Sequence, residues 1–92
     1  MDIYAQIVVK IIKSQEAIIG PVAIEQAQRI PHIKLDWPHE KVSIDGDEAK
    51  AVDALVDVYK ELFGQISVEV SKEAASGLLG QLKSAELPEA LK

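Results

Sequence analysis

Cysteine is absent from the chain, and this absence excludes disulfides, thiolate metal sites and cysteine nucleophiles together. Aromatic residues are scarce, with one Trp, two Tyr and one Phe among 92 residues. Aliphatic side chains therefore supply most of the 48% hydrophobic content. They fill a core well but anchor binding partners less strongly than aromatic side chains do. Length and composition predict one folded domain, residues 1–92.

Basic residues are too few and too scattered for a surface that binds nucleic acid. The chain has 10 basic and 15 acidic residues, a net charge of −5, and no run of Lys or Arg. Such a chain repels phosphates, so neither nucleic acid nor an anionic membrane is an expected partner. Long hydrophobic runs are missing too, since Lys10 and Lys13 interrupt the most apolar early stretch. The first residues lack the basic start of a signal peptide, and the expected location is the cytoplasm.

Sequence motifs that carry chemistry are also missing. The five glycines are dispersed and form no phosphate-binding loop, and neither G-x-S-x-G nor H-E-x-x-H occurs. His32 and His39 are the only histidines. A strand between them would hold them roughly 15–20 Å apart, too far to share one zinc ion. The sequence therefore predicts no metal site, no cofactor, no catalytic residue and no enzymatic activity.

The first part of the chain has the pattern of a helix that breaks once. Apolar residues from Ile3 to Ile19 recur at helical spacing, and Asp2 stands where a cap is expected. Gly20-Pro21 interrupts this pattern, because Gly permits a bend and Pro is tolerated at the first position of a new helix. We predict a second, shorter helix from Pro21 to Ile30.

The last part of the chain has a similar plan. Asp47 to Phe63 carries a strong amphipathic pattern, and Asp45 with Glu48 resembles a capping box at its start. After a glycine, Gln65 to Lys83 again has apolar residues at helical spacing. The stretch Ile66 to Val70 also alternates as a strand does, so helix and strand both remain open there.

Two short runs of alternating residues predict a β-hairpin over residues 33–44. Pro38-His39-Glu40 lies between the runs and has the length of a turn. The apolar positions that share one face are Ile33, Leu35, Trp37, Val42 and Ile44.

The chain also matches itself at an offset of 44 residues. Gly20 and Gly64 each follow two large apolar residues, and Glu25 and Glu69 follow these glycines at equal distance. We predict two equivalent helical halves, residues 1–30 and 45–83, and a tail over 84–92 that is frayed or forms a short extra turn. The predicted fold is α+β, with two kinked helical halves joined by a β-hairpin.

A lone two-stranded hairpin is marginally stable in water and leaves both edges open, so a partner is expected. The first helix also carries apolar residues outside its main stripe, which predicts burial on more than one side. A homodimer that joins two hairpins into a four-stranded sheet would satisfy both features, and a monomer whose own helices cover these surfaces is the alternative. The predicted interface residues are Ile33, Leu35, Trp37, Val42, Ile44 and Val9.

Three functions follow from these patterns. The favoured one is a non-enzymatic interaction or regulatory module that oligomerises and binds a protein partner through an aliphatic surface. The alternative is a domain that binds a small apolar ligand in a cavity between the helical halves. The third is an acid–base enzyme, which requires the repeat-equivalent carboxylates of Glu25 and Glu69 to face one cleft.

Overall fold

A computed structural model describes all 92 residues and contains four α-helices and one antiparallel hairpin. The elements are α1 (Ile3–Ile19), α2 (Val22–Ala27), β1 (Ile33–Asp36), β2 (Lys41–Ile44), α3 (Glu48–Phe63) and α4 (Gln65–Leu79). Short 3-10 turns follow at Ser84–Glu86 and Glu89–Leu91. Helices thus dominate, and the small hairpin between the two helical halves gives the α+β class that the sequence predicts.

The two long helices begin at aspartate caps. The Asp2 carboxylate accepts the Ala5 amide at 2.9 Å, and the Asp47 carboxylate accepts the Lys50 amide at 3.1 Å. Each bond satisfies one amide that the first turn of a helix leaves without a partner. The sequence prediction placed Asp45 in a capping box, and this was wrong: Asp45 ends the hairpin, where its amide donates to the His32 carbonyl at 2.8 Å.

Glycine separates the two helices within each half. Gly20 has φ 75° and ψ −156°, and Gly64 has φ 82° and ψ −171°. This conformation is essentially confined to glycine, because a Cβ atom clashes with the backbone there. The chain therefore changes direction in the same way after α1 and after α3.

The segment after Gly64 is helical, which decides between the two alternatives left open for it. Its buried residues recur at helical spacing, and they are Ser67, Val68, Ser71, Ala75 and Leu78. In the first half, α2 ends at Ala27, three residues before the predicted end at Ile30.

The hairpin pairs Ile33 with Ile44 and Leu35 with Val42. Trp37 was predicted to belong to the first strand, but the strand ends at Asp36 and Trp37 begins a 3-10 turn. Proline at the second position of this turn explains the early end, because it has no N–H to donate to the strand ladder and its fixed φ suits a turn. Glu40 closes the turn in the left-handed region, with φ 53°.

The core lies around α1, which packs against α2, α3, α4 and β2. The wide apolar arc of α1 is therefore covered by the chain's own elements, except at Ile18 near the C-terminal end of the helix. The tail is also docked: Pro88 and Leu91 are buried, and the Asp53 carboxylate on α3 accepts the Ala90 amide at 2.8 Å. Of the two alternatives predicted for the tail, the ordered extra turn is the one observed. None of the four helices has both the length and the apolar character needed to cross a lipid bilayer.

Candidate interaction surface

The six residues predicted to form a dimer interface, five in the hairpin region and Val9 on α1, are covered to different degrees within one chain. Ile33, Val42 and Val9 are buried in the hydrophobic core. The remaining three, Leu35, Trp37 and Ile44, are partly buried and pack against that core. The apolar face of the hairpin thus packs mainly on the chain's own interior, and the side chains of Leu35, Trp37 and Ile44 remain partly accessible.

Glu25 and Glu69 are both exposed to solvent, on α2 and α4. Glu69 accepts a hydrogen bond from the Gln65 side chain at 3.2 Å, and neither glutamate makes a salt bridge. Neither side chain lines any of the four surface depressions. This placement does not bring the two carboxylates to one cleft, which is what acid–base chemistry would require.

The two histidines lie at opposite ends of β1 and both are exposed. His39 Nδ1 is 2.9 Å from an oxygen of Asp36, within the hairpin turn. No group of three or more His, Asp or Glu side chains is arranged to hold a metal ion.

Two buried hydrogen bonds join the helical halves. The Tyr59 hydroxyl on α3 donates to the Ala23 carbonyl on α2 at 2.7 Å. The Gln15 amide on α1 donates to the Ser67 carbonyl on α4 at 3.0 Å and to the Ser71 hydroxyl at 3.1 Å. Every buried side-chain nitrogen and oxygen has a hydrogen-bond partner. Burial also raises the pKa of Tyr59, because the charged phenolate would have to lose its water.

These bonds place both glycine breaks at the same end of the molecule. Tyr59 and Gln15 each lie four residues before the end of a long helix. Their acceptors, Ala23 and Ser67, lie in the first turn of the helix that follows the opposite break. The C-terminal ends of α1 and α3 and the N-terminal ends of α2 and α4 therefore meet in one region.

Exposed apolar side chains concentrate in this region. Ile18, Leu62 and Ile66 keep 64%, 51% and 72% of their surface exposed. We call the region the end surface, and it comprises Ile18, Val22, Leu62, Phe63 and Ile66. Met1 is the only other large apolar residue with comparable exposure. Single exposed apolar residues are ordinary, but a cluster of them usually marks an interaction site.

Sequence reasoning missed the end surface, although a signal was present. Two large apolar residues precede each glycine, and the residue two positions after each glycine is also apolar. That pattern led to the predicted repeat, but only the packing shows that Ile18 and Leu62 point away from the core.

The space between the helical halves is filled by side chains. Ile7, Ile11, Val52 and Leu55 are fully buried there. The four depressions are shallow and open to solvent, and two of them follow the groove between α1 and α4. A small apolar ligand would therefore find an open groove and not an enclosed cavity.

An acidic pair joins the starts of α1 and α3. The pKa of Glu48 is raised to about 7, chiefly by a hydrogen bond with Asp2. Desolvation of the Glu48 carboxyl and repulsion by the Asp2 charge also contribute to this rise. The same bond lowers the pKa of Asp2, so the two carboxylates share one proton near neutral pH. Loss of water, together with the charge of Glu86, raises the pKa of Tyr4 nearby.

Comparison with protein-family models, with curated proteins and with solved structures finds no match to this chain.

Proposed function

We propose that this protein is a non-enzymatic interaction module that binds an apolar segment of a partner protein on the end surface. One observation carries the proposal: five of the six large apolar side chains with substantial exposure lie at the same end of the molecule. Exposed aliphatic side chains gain about 25 cal/mol for each Å² that a partner removes from water.

The proposal includes an internal repeat. Gly20 and Gly64 share one unusual backbone conformation, and they are 44 residues apart. The donors Gln15 and Tyr59 are also 44 residues apart, as are the acceptors Ala23 and Ser67. Two equivalent halves that meet at their glycine breaks would present matching apolar residues on one surface. The exposure of Ile18 and Leu62, and of Val22 and Ile66, each pair 44 residues apart, supports this.

The charge around the end surface favours a partner segment with basic flanks. Glu25 lies three residues after Val22, and Glu69 lies three residues after Ile66, so each carboxylate shares a helix face with an exposed apolar residue. Neither carboxylate makes a salt bridge within the chain. Lys or Arg beside the partner's aliphatic residues would complement these carboxylates.

A displayed library of amphipathic helical peptides tests this proposal. Selection on the wild-type protein should enrich peptides in which aliphatic residues are flanked by Lys or Arg. The triple variant Ile18→Ser, Leu62→Ser, Ile66→Ser should bind these peptides at least tenfold more weakly, because each lost contact removes roughly 1.5 kcal/mol or more. Fluorescence anisotropy measures the affinities, and circular dichroism checks that the variant folds.

A double variant, Glu25→Gln with Glu69→Gln, is the matched control for charge. It should retain most of the affinity and lose the salt dependence of the association rate, as expected for charges at the rim of an interface. Failure to select any peptide, or equal binding to the triple variant, would refute the function.

The second part of the proposal is that the chain forms a homodimer, which would present two end surfaces. The support is the hairpin, because two strands alone leave backbone hydrogen-bond groups unpaired at their edges. Light scattering coupled to size exclusion should give a mass near twice 10.0 kDa. A mass of one chain at all concentrations would refute this part.

A further inference from the structure

The outer edge of β1 has backbone groups that point away from the hairpin. The Asp45 amide donates to the His32 carbonyl at 2.8 Å, which makes His32 and Asp45 a hydrogen-bonded pair. Such pairs alternate along an antiparallel ladder, so the backbone groups of Lys34 and Asp36 face β2 while those of Leu35 face outward. Leu35 thus presents an N–H and a C=O group at the open edge.

The outer edge of β2 has less room for another strand than the outer edge of β1. The outward amide of Val42 donates to the Met1 sulfur at 3.4 Å, and β2 packs on α1. β1 has no comparable neighbour other than β2. Of the two strands, β1 is therefore the one with room for another strand beside it.

We propose that two copies of this chain pair their β1 strands antiparallel about a two-fold axis at Leu35. This inference rests on the proposed homodimer and specifies its interface. Each Leu35 would exchange two backbone hydrogen bonds with Leu35 of the second copy, because directly opposite residues of a hydrogen-bonded pair do so. The sheet would have four strands in the order β2-β1-β1-β2, and the interface would be isologous.

The charges on β1 favour a second copy as the occupant of this edge. Lys34 and Asp36 flank Leu35 and are both exposed on the same face of the hairpin. With Leu35 at the axis, each Lys34 stands opposite Asp36 of the other copy, which gives two attractive cross-strand pairs.

The same charges also select the register. A shift by two residues in either direction would place Lys34 opposite Lys34 or Asp36 opposite Asp36, which is repulsive. A shift by one residue would turn the apolar face of one strand to solvent. The strand is therefore complementary to itself in one antiparallel register.

Charge reversal tests this register. Lys34→Asp makes both flanking residues acidic, and Asp36→Lys makes both basic. Each variant alone should dimerise roughly tenfold more weakly or worse, since two attractive pairs become repulsive. An equimolar mixture of the two variants should restore the dimer as a heterodimer, because every acidic position then faces a basic one. Light scattering at low ionic strength and native mass spectrometry measure both results.

Two control variants separate the effect of the strand register from the effect of a changed charge. Lys60→Asp changes the net charge by the same amount as Lys34→Asp, at an exposed position of α3, and should leave the dimer intact. The chain that carries both Lys34→Asp and Asp36→Lys should dimerise with itself, because the complementary pattern is restored in reverse.

The outcomes distinguish a failure of the proposed β1 interface from a failure of the proposed homodimer. A wild-type chain that is monomeric at every concentration refutes the homodimer and this inference together. A wild-type dimer that either single variant leaves unchanged refutes the β1 interface while the homodimer stands. A mixture that stays monomeric although both single variants fold refutes the register.

Discussion

Tyr59 stands 44 residues after Gln15, and the two side chains make corresponding bonds. Each lies four residues before the end of a long helix and donates a hydrogen bond to a carbonyl in the first turn of the other half's second helix. One donor is a phenol and the other is an amide. The halves are thus held together at two corresponding points by different chemistry, and both points lie next to the end surface.

The Tyr59 bond is expected to contribute measurably to stability. Tyr59→Phe removes the hydroxyl from a fully buried site and leaves one hydrogen bond to the Ala23 carbonyl unmade. We expect a loss of about 1–2 kcal/mol in the free energy of unfolding. Tyr4→Phe removes an exposed hydrogen bond to the Glu86 carbonyl and should cost about 0.5 kcal/mol or less. Urea unfolding of both variants measures the difference, and equal losses would contradict the expectation.

Substitution of the glycine at either break is expected to lower the stability of the protein, although neither glycine is crowded by other parts of the chain. Apart from the glycine and its two chain neighbours, no atom lies within 4 Å of a Cβ added at Gly20 or Gly64, so the cost comes from the local backbone conformation alone. Gly20→Ala and Gly64→Ala should each destabilise the protein by about 1–3 kcal/mol. Gly77→Ala, in helix α4 and equally uncrowded, should stabilise it by up to about 1 kcal/mol. Thermal unfolding compares the three variants, and a stabilising effect at Gly20 would contradict this account.

Stability is expected to depend on pH through Glu48. The pKa of Glu48 rises from 4.5 to about 7 in the folded protein, so between these values the folded chain holds a proton that the unfolded chain has released. The free energy of unfolding should therefore fall as the pH rises through this window. The pKa of Asp2 is lowered from 3.8, so its own titration lies below the window.

Glu48→Gln tests this dependence, because the amide does not titrate and can donate to Asp2 at every pH. The variant should lose part of the decline in melting temperature that we expect for the wild type between pH 4.5 and pH 7. Glu61→Gln, an exposed position on the same helix, serves as the control for the removal of one charge. Parallel profiles for wild type and Glu48→Gln would count against the shared proton.

The C-terminal turn is expected to be part of the folded core. Leu91 is 4% exposed and packs with the core cluster. Leu91→Ala should cost about 2–4 kcal/mol, as for other buried leucines. Leu62→Ala makes the same chemical change on the end surface and should cost well under about 1 kcal/mol. A loss at Leu91 no larger than that at Leu62 would mean that the turn is frayed in solution.

Local patterns were sufficient to predict most of the secondary structure. The spacing of apolar residues predicted a helix from Ile3 to Ile19, which are the observed limits of α1, and strict alternation predicted the hairpin over 33–44. The errors were also local: Asp47 and not Asp45 caps α3, and Trp37 belongs to the turn. Two aspartates stand two residues apart there, and the bond from the Lys50 amide to the Asp47 carboxylate identifies Asp47 as the cap.

The sequence by itself determined the first three helices, the hairpin and the two breaks, because these depend on side-chain periodicity and on glycine and proline over a few neighbouring residues. The tertiary structure decided which apolar residues are covered. It buries Val9, Ile33 and Val42 in the chain's own core and leaves Ile18, Leu62 and Ile66 exposed at one end. It also brings Asp2 to Glu48 and docks the C-terminal turn on α3. These outcomes depend on contacts between residues far apart in the chain, and no local pattern contains the relative orientation of the helices that creates them.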